Sequence, residues 1–185
     1  MKLEVPPFQE TLNAGVCGPA SLKIVLAYYG VEKTEDELAE RTHCSAERGT
    51  TAEELARVAR ELGFDVTTQN GATFADLANW LLKGVPPIVD WFTRGRDDYP
   101  ADRVASDGHY SVITGLTDTH IMLQDPEIGA ERTMAREVFE KVWFDFSGDV
   151  IRPDELLIRQ LIAIRPKEWG LGLGAGGGGA KTGKP

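Results

Sequence analysis

The 185-residue chain has only two cysteines, Cys17 and Cys44, which are too few for a disulfide framework. It has no apolar run long enough to cross a bilayer, and residues 1–7 lack the apolar stretch of a signal peptide. Basic residues are outnumbered by acidic ones, 20 to 29, so no basic surface for nucleic acid or an anionic membrane is expected. These absences predict a globular cytoplasmic protein that binds no nucleic acid, spans no membrane and keeps both thiols reduced.

Glycine is concentrated at the end of the chain. Eight of the 20 glycines fall within residues 170–185, which read GLGLGAGGGGAKTGKP. Such a segment has little apolar surface to bury and loses much conformational entropy when it is ordered. The sequence therefore predicts one folded domain over residues 1–167 and a disordered tail over residues 168–185.

Helix signals fill the first half of the chain. A helix is predicted to begin at Cys17 and to end at Gly30, because Pro19 suits a first turn and apolar residues follow at helical spacing. Three more helices are predicted where a threonine stands three residues before an acidic residue, the spacing of an N-terminal cap. These pairs are Thr34 with Glu37, Thr51 with Glu54 and Thr73 with Asp76.

The second half of the chain has the patterns of β-strands. The predicted strands are Ile88–Phe92, Tyr110–Leu116, His120–Gln124 and Leu156–Ile164, with one further helix beginning at Thr133. Helices in the first half and antiparallel strands in the second predict an α+β fold, in which a helical lobe packs on an antiparallel sheet.

Cys17 is the leading candidate for a nucleophile, because it lies where a loop enters a helix. Unpaired backbone N–H groups and the helix dipole favour a thiolate at such a place, and the thiolate is the reactive form of cysteine. Gly18, the next residue, leaves room for a substrate backbone to approach. A free cysteine is also a common small core residue, and this alternative stays open.

His109 and Asp125 are the other two candidates. His109 follows Gly108 at the start of one predicted strand, and Asp125 ends the next. Antiparallel strands joined by a tight turn can place such residues side by side, where the aspartate can hold the imidazole in its working tautomer. Each has an ordinary alternative as a turn or capping residue. Together with Cys17 they have the chain order of a papain-like nucleophile, base and orienting group.

The motifs also resemble those of a known family. The segments CGPASL at 17–22, GHYSVITG at 108–115 and Asp125-Pro126 with Gly129 are similar to three landmarks of the bacteriocin-processing, double-glycine leader peptidases. Those landmarks are the nucleophile helix, the histidine strand and the aspartate motif. The resemblance covers about residues 5–165 and implies a papain-like cysteine peptidase fold. Because the chain has neither a membrane span nor ATPase motifs, it is similar to the free-standing members.

The resemblance further implies a glutamine before the cysteine, whose side-chain amide joins the Cys17 backbone N–H in an oxyanion hole. Gln9 is the only glutamine before Cys17. It lies eight residues upstream, whereas papain-like enzymes usually have this glutamine six residues upstream, where this chain has Thr11. Gln9 is the predicted donor if the intervening loop has two extra residues, and Asn13 is the alternative.

These residues predict a cysteine peptidase that acts on a peptide or protein substrate. His109 would deprotonate Cys17, Asp125 would orient His109, and Gly18 and Gly108 would contact the substrate backbone. The reaction requires no metal and no organic cofactor. Two alternatives stay open: the thioester could pass to an amine instead of water, or the domain could be a catalytically inactive peptide-binding module.

Other motifs give weaker indications of a functional site. His43 and Cys44 are adjacent but have no second cluster of ligands, so no zinc site is expected. Residues 178–185 only approximate a phosphate-binding loop, because proline stands at its last position. Trp91 precedes a long polar segment over 93–107 that could cover the cleft. The tail glycines could act as a poor substrate in cis, although a plain flexible tail is favoured.

Overall fold

The computed structural model describes residues 1–93, 108–146, 152–154 and 156–167. The helices are α1 (Cys17–Tyr28), α2 (Glu35–Arg41), α3 (Ala52–Glu61), α4 (Phe74–Leu82) and α5 (Arg136–Val142). The strands are β1 (Phe64–Gln69), β2 (Ile88–Phe92), β3 (Gly108–Leu116), β4 (His120–Asp125), β5 (Ala130–Ala135), β6 (Phe144–Phe146), β7 (Leu156–Ile158) and β8 (Leu161–Pro166). The predicted tail and nearly all of the predicted cover over the cleft lie outside the described residues, so both stay predictions.

Six strands form one antiparallel sheet in the order β1-β8-β2-β3-β4-β5, and β6 pairs with β7 in a separate two-stranded ribbon. Neighbouring residues on β3 show the two faces, because side chains alternate along a strand. Val112 packs with apolar residues of α1 and α3, whereas Ile113 packs with those of α4 and α5. This arrangement confirms the α+β prediction, and it places α1 against the strand that carries His109. None of the described helices is long and apolar enough to cross a membrane.

The predicted helix starts are confirmed at Cys17 and at the three threonines. Thr34, Thr51 and Thr73 each accept a hydrogen bond from the backbone N–H three residues further on. A complete capping box forms at Thr73, where Asp76 also accepts from the Thr73 backbone N–H. The acidic residues after the other two threonines pair with basic side chains instead, Glu37 with Lys33 and Glu54 with Arg57.

Two predictions in the second half are wrong. Thr133 does not begin a helix but lies in β5 opposite Met122 of β4, and α5 begins at Arg136. The apparent helical stripe arose because Met134, a core residue of β5, stands at helical spacing before the apolar residues of α5. The predicted strand over residues 156–164 is two strands, since Arg159 has a left-handed φ of 49° that interrupts the run.

The N-terminal segment follows the sheet toward the end of β4. The Leu3 N–H donates to the Thr114 carbonyl at 2.7 Å, and the Gln124 amide donates to the Val5 carbonyl at 3.0 Å. The Glu10 N–H then donates to the Pro126 carbonyl at 2.8 Å. These contacts place residues 8–10 beside the turn that follows Asp125.

Candidate active site

Cys17 is the first residue of α1, and it is buried. The helix has twelve residues, and neither a side-chain cap nor an acidic residue occupies its first turn. The positive end of the helix dipole therefore acts on the cysteine without an offsetting negative side chain in that turn. The residue stands where the sequence predicted it.

Gly18 is a glycine because neighbouring side chains fill the space beside it. A Cβ at this position would collide with the Thr50 methyl group and would lie 3.2 Å from the Tyr110 ring. Gly108 is similar, since a Cβ there would lie 2.5 Å from Oδ2 of Asp145. Close packing therefore accounts for both glycines, and the predicted contacts with a substrate backbone stay predictions.

His109 and Asp125 are hydrogen-bonded to each other in the buried interior. The distance between His109 Nε2 and Asp125 Oδ1 is 2.7 Å. Adjacent strands bring the two together, because Val112 of β3 pairs with Gln124 of β4 and the two strands run antiparallel. The predicted side-by-side placement of His109 and Asp125 is therefore what the structure shows.

Cys17 interacts with the imidazole of His109 and is one of the groups that raise its pKa. Because Nε2 is bound to Asp125, Nδ1 is the ring nitrogen left for the thiol. Burial by itself lowers the pKa of His109, but the charge of Asp125 and the hydrogen bonds with Asp125 and Cys17 outweigh burial and raise the pKa well above its usual value. The protonated form of the ring is stabilised between two acidic groups.

Asp125 is held by more than His109. Its Oδ2 accepts a hydrogen bond from Nε of Arg132 on β5 at 2.8 Å, and its Oδ1 also accepts from the Glu127 backbone N–H at 3.0 Å. Burial raises the pKa of Asp125, but His109 and Arg132 outweigh burial and lower the pKa to about 2. The carboxylate therefore stays ionised at neutral pH. Nothing in the sequence pattern pointed to Arg132, which reaches Asp125 only through the pairing of β4 with β5.

Trp91 packs against the imidazole of His109. The rings of Trp91 and His109 meet edge to face, with centroids 5.5 Å apart and planes at 75°. The two residues are partners in the pairing of β2 with β3, and the Trp91 Nε1–H donates to Ser111 Oγ at 3.0 Å. Trp91 is completely buried, so it limits the movement of the ring.

The structure gives the surroundings of the two predicted oxyanion donors, Gln9 and Asn13. Gln9 is exposed, its Nε2 donates to the Glu127 carbonyl at 3.3 Å, and its side chain packs beside Gly129. Asn13 is exposed in a turn, with a left-handed φ of 62°. The structure therefore brings Cys17, His109 and Asp125 together, whereas the amide of Gln9 is engaged by the turn after β4. The role of either amide stays a prediction.

Two further groups of polar residues bear on metal binding. Ligand atoms of His109, Asp125 and Glu127 lie within 4.8 Å of one another. The Arg132 guanidinium already supplies a positive charge to this group, which disfavours a cation there. At the other group, His43 pairs with Glu54 at 3.4 Å while the Cys44 thiol donates to the Gly15 carbonyl at 3.2 Å.

Cys44 differs from Cys17 in its surroundings. Burial is the main cause that raises the pKa of the Cys44 thiol to about 11, and the nearby Cys17, Glu10 and Glu35 raise it further. This thiol remains protonated at neutral pH. Cys44 therefore provides an internal reference for the reactivity of Cys17.

A helix that begins at a cysteine and packs on an antiparallel sheet, with histidine and aspartate on neighbouring strands, is the architecture of papain-like cysteine peptidases. The model of the Peptidase C39 family matches residues 9–147, and the chain belongs to this family. This confirms the family to which the sequence motifs pointed.

The proteins to which the chain is similar include a transport/processing protein and two solved peptidase structures. The chain is 34% identical over 131 residues to the transport/processing ATP-binding protein ComA of Streptococcus pneumoniae. The aligned region covers 69% of this chain but only 16% of ComA. The peptidase domain of Streptococcus ComA superposes with a TM-score of 0.65 at 21% identity, covering 89% of this chain and all of that domain. A double glycine motif protease from an AMS/PCAT transporter, solved in complex with the leader peptide, superposes with a TM-score of 0.62 at 20% identity. The superposition covers 90% of this chain and 94% of the protease chain. These likenesses confirm the papain-like fold.

Proposed function

We propose that this chain is an active cysteine peptidase in which Cys17 is the nucleophile, His109 is the general base and acid, and Asp125 orients His109. One observation carries the proposal. His109 Nε2 is hydrogen-bonded to Asp125 Oδ1 at 2.7 Å, and Cys17 at the start of α1 interacts with the same imidazole. This is the arrangement that a nucleophile, a base and an orienting group require.

The reaction follows from these contacts. His109 Nδ1 takes the thiol proton, and the Cys17 sulfur attacks the carbonyl carbon of a peptide bond to form a tetrahedral oxyanion. The Cys17 backbone N–H and one side-chain donor, for which Gln9 and Asn13 are the sequence-based candidates, bind the oxyanion. The imidazolium then protonates the leaving amine as the C–N bond breaks. Water, deprotonated by His109, finally hydrolyses the thioester and releases the acid and the free thiol.

Asp125 and Arg132 support this reaction through their effect on the His109 ring. Asp125 remains a carboxylate at neutral pH, because its pKa is lowered to about 2. It accepts the hydrogen bond from Nε2 and stabilises the imidazolium that forms when Cys17 loses its proton. Arg132 fixes the second carboxylate oxygen, so the plane of Asp125 and the ring of His109 are held together.

For the substrate we propose a peptide with two glycines before the bond that is cut. The support is family membership, together with the similarity to a solved double glycine motif protease that holds a leader peptide. The chain spans about a sixth of the length of ComA, so the transport activity of that protein is not transferred to this chain. A cytoplasmic location stays a prediction.

Thiol reactivity provides the first test. Alkylation of each cysteine with iodoacetamide is followed across pH by peptide mass spectrometry, in the wild type and in His109→Ala. Cys17 is expected to react at about pH 6, where an ordinary thiol is almost wholly protonated, and Cys44 is expected not to react there. His109→Ala should abolish the reaction of Cys17 at that pH. A Cys17 that reacts like an ordinary thiol in the wild type would overturn the proposal.

An inactive peptide-binding module is the second candidate. One observation favours it, the engagement of the Gln9 amide with the Glu127 carbonyl. Hydrolysis of a fluorogenic amide, acetyl-Leu-Gly-Gly-aminomethylcoumarin, separates the two candidates, because a module with no active site binds the peptide without releasing the fluorophore. Adding an amine separates hydrolysis from acyl transfer, since transfer to the amine yields a product heavier than the free acid.

A further inference from the structure

The loop over residues 9–16 leads into the proposed oxyanion hole. It ends immediately before the Cys17 backbone N–H, and it contains both candidates for the side-chain donor, Gln9 and Asn13. No residue of this loop lies in a helix or a strand, and its backbone has a left-handed φ at Asn13, 62°, and at Gly15, 67°. Contacts with other elements therefore have to fix the course of the loop.

Both ends of the loop are tied to neighbouring segments. Near its start, the Glu10 backbone N–H donates to the Pro126 carbonyl at 2.8 Å, in the turn after β4. Near its end, the Gly15 carbonyl accepts from the Cys44 thiol at 3.2 Å. The middle of the loop lies between these two ties and needs an attachment of its own.

Glu35 binds the middle of the loop through three hydrogen bonds to one residue, Thr11. The Thr11 backbone N–H donates to both carboxylate oxygens of Glu35, at 3.1 and 3.3 Å, and the Thr11 hydroxyl donates to Oε2 at 2.6 Å. Hydrogen bonds to a carboxylate are stronger than those between neutral groups. Because Glu35 is buried, water does not readily replace Thr11. The contact is therefore a firm attachment of the loop to α2.

The helix that carries Glu35 is packed against the helix of the nucleophile. Glu35 is the first residue of α2, and Leu38, three residues further on, is completely buried. Leu38 belongs to the same core cluster as Leu22 and Leu26 of α1, the helix that begins at Cys17. Glu35 therefore holds the loop in a fixed relation to the start of α1.

We propose that Glu35 is a positioning residue for the oxyanion hole, because its grip on Thr11 sets the distance between the side-chain donor of the loop and the Cys17 backbone N–H. This inference rests on the proposed peptidase function, and it applies whether Gln9 or Asn13 is the donor. Glu35 acts through the loop and not on the substrate. A misplacement of about 1 Å can cost about 100-fold in rate. Since an oxyanion donor stabilises the tetrahedral intermediate more than the bound substrate, loss of the grip should lower kcat and leave KM nearly unchanged.

Steady-state hydrolysis of acetyl-Leu-Gly-Gly-aminomethylcoumarin tests this role. Glu35→Ala removes all three hydrogen bonds and should lower kcat about 30-fold, with KM within about twofold of the wild-type value. Thr11→Val removes only the hydroxyl and should lower kcat about fivefold, whereas Thr11→Ser keeps the hydroxyl and should retain the wild-type kcat.

A double variant shows whether the two residues act through their contact. Glu35→Ala already removes every hydrogen bond between them, so Glu35→Ala combined with Thr11→Val should be no slower than Glu35→Ala alone. A loss in the double variant equal to the product of the two single losses would mean that the residues act independently, and the proposal would be overturned.

A capping threonine provides the control for a general loss of stability. Thr73→Ala removes a hydrogen bond at the start of α4, a helix that packs on the other face of the sheet. Its kcat should stay within about twofold of the wild-type value. If Thr73→Ala lowers kcat as much as Glu35→Ala does, destabilisation explains the loss and the role of Glu35 is overturned.

Alkylation of Cys17 by iodoacetamide separates this proposal from the peptidase function. Alkylation forms no oxyanion, so Glu35→Ala should keep the wild-type rate within about twofold, and a loss as large as that in kcat would overturn the proposal. An unreactive Cys17 in the wild type would overturn the peptidase function itself. A reactive wild-type Cys17, with the same kcat in Glu35→Ala as in the wild type, would overturn the role of Glu35 alone. If circular dichroism shows that Glu35→Ala does not fold, the comparison of Thr11→Val with Thr11→Ser decides the question.

Discussion

Asp125 and Arg132 are joined by a 2.8 Å hydrogen bond between Oδ2 and Nε, on the side of the carboxylate away from His109. The aspartate is thus shared by two cations from two strands. Because Arg132 fixes Oδ2, Oδ1 is left to accept from His109 Nε2 and from the Glu127 backbone N–H. The charge of Arg132 also keeps the carboxylate ionised, so the orientation and the charge of Asp125 depend on the same contact.

Arg132→Met should weaken both the active site and the acid stability of the fold. The folded-state pKa of Asp125, about 2, lies below its ordinary value of 3.8, so its stabilising contribution is present above about pH 4 and is lost as the pH falls toward 2. That contribution is about 2 kcal/mol. Without Arg132 the loss should begin at a higher pH, as measured by urea unfolding at several pH values. Arg132→Lys keeps a positive charge, so its stability at acidic pH should lie between those of the wild type and Arg132→Met. If the pH dependence of stability in Arg132→Met equals that of the wild type, this role of Arg132 is contradicted.

Asp125→Asn should lower the reactivity of Cys17 at mildly acidic pH. The asparagine keeps an acceptor for His109 but removes the charge that raises the pKa of the imidazole. Less imidazolium then forms to stabilise the thiolate, so alkylation of Cys17 at about pH 6 should slow about tenfold. Asp118→Asn is the control, because Asp118 is exposed in the turn before β4. Equal alkylation rates in the two variants would show that Asp125 has no electrostatic part in the site.

Gly18→Ala should destabilise the domain because its new methyl group meets that of Thr50. Overpacking of this kind costs about 1–3 kcal/mol. Thr50→Ser removes the colliding methyl group and keeps the hydroxyl that donates to the Thr42 carbonyl. The double variant should therefore recover part of the lost free energy of unfolding in urea titration. If it is no more stable than Gly18→Ala alone, the contact with Thr50 is not the cause.

Thr73→Ala should lower stability without changing the chemistry of the site. The variant removes the hydroxyl that accepts from the Asp76 N–H at the start of α4, a change that costs about 1 kcal/mol. Thr73→Ser keeps the hydroxyl and should retain the wild-type melting temperature. Alkylation of Cys17 should be the same in all three proteins, and a slower reaction in Thr73→Ala would mean that α4 supports the active site.

Much of the fold and of the candidate site was predictable from short stretches of sequence. Capping threonines and helical spacing predicted the starts of α1 to α4, because a helix start is decided within a few residues. The strand Ile88–Phe92 was predicted with its observed bounds. The wrong predictions arose where one pattern crossed a boundary, at Thr133 between β5 and α5, and at Arg159 between β7 and β8.

The sequence by itself therefore determined the helix that begins at Cys17, the strands that carry His109 and Asp125, and the family to which the chain belongs. Only the tertiary structure decided the neighbours of these residues. Arg132 reaches Asp125 through the register of two strands, and the Glu10 backbone N–H meets the Pro126 carbonyl, although the two residues are far apart in the chain. Local signals cannot encode such pairs, because their distance and burial depend on how the whole sheet is assembled.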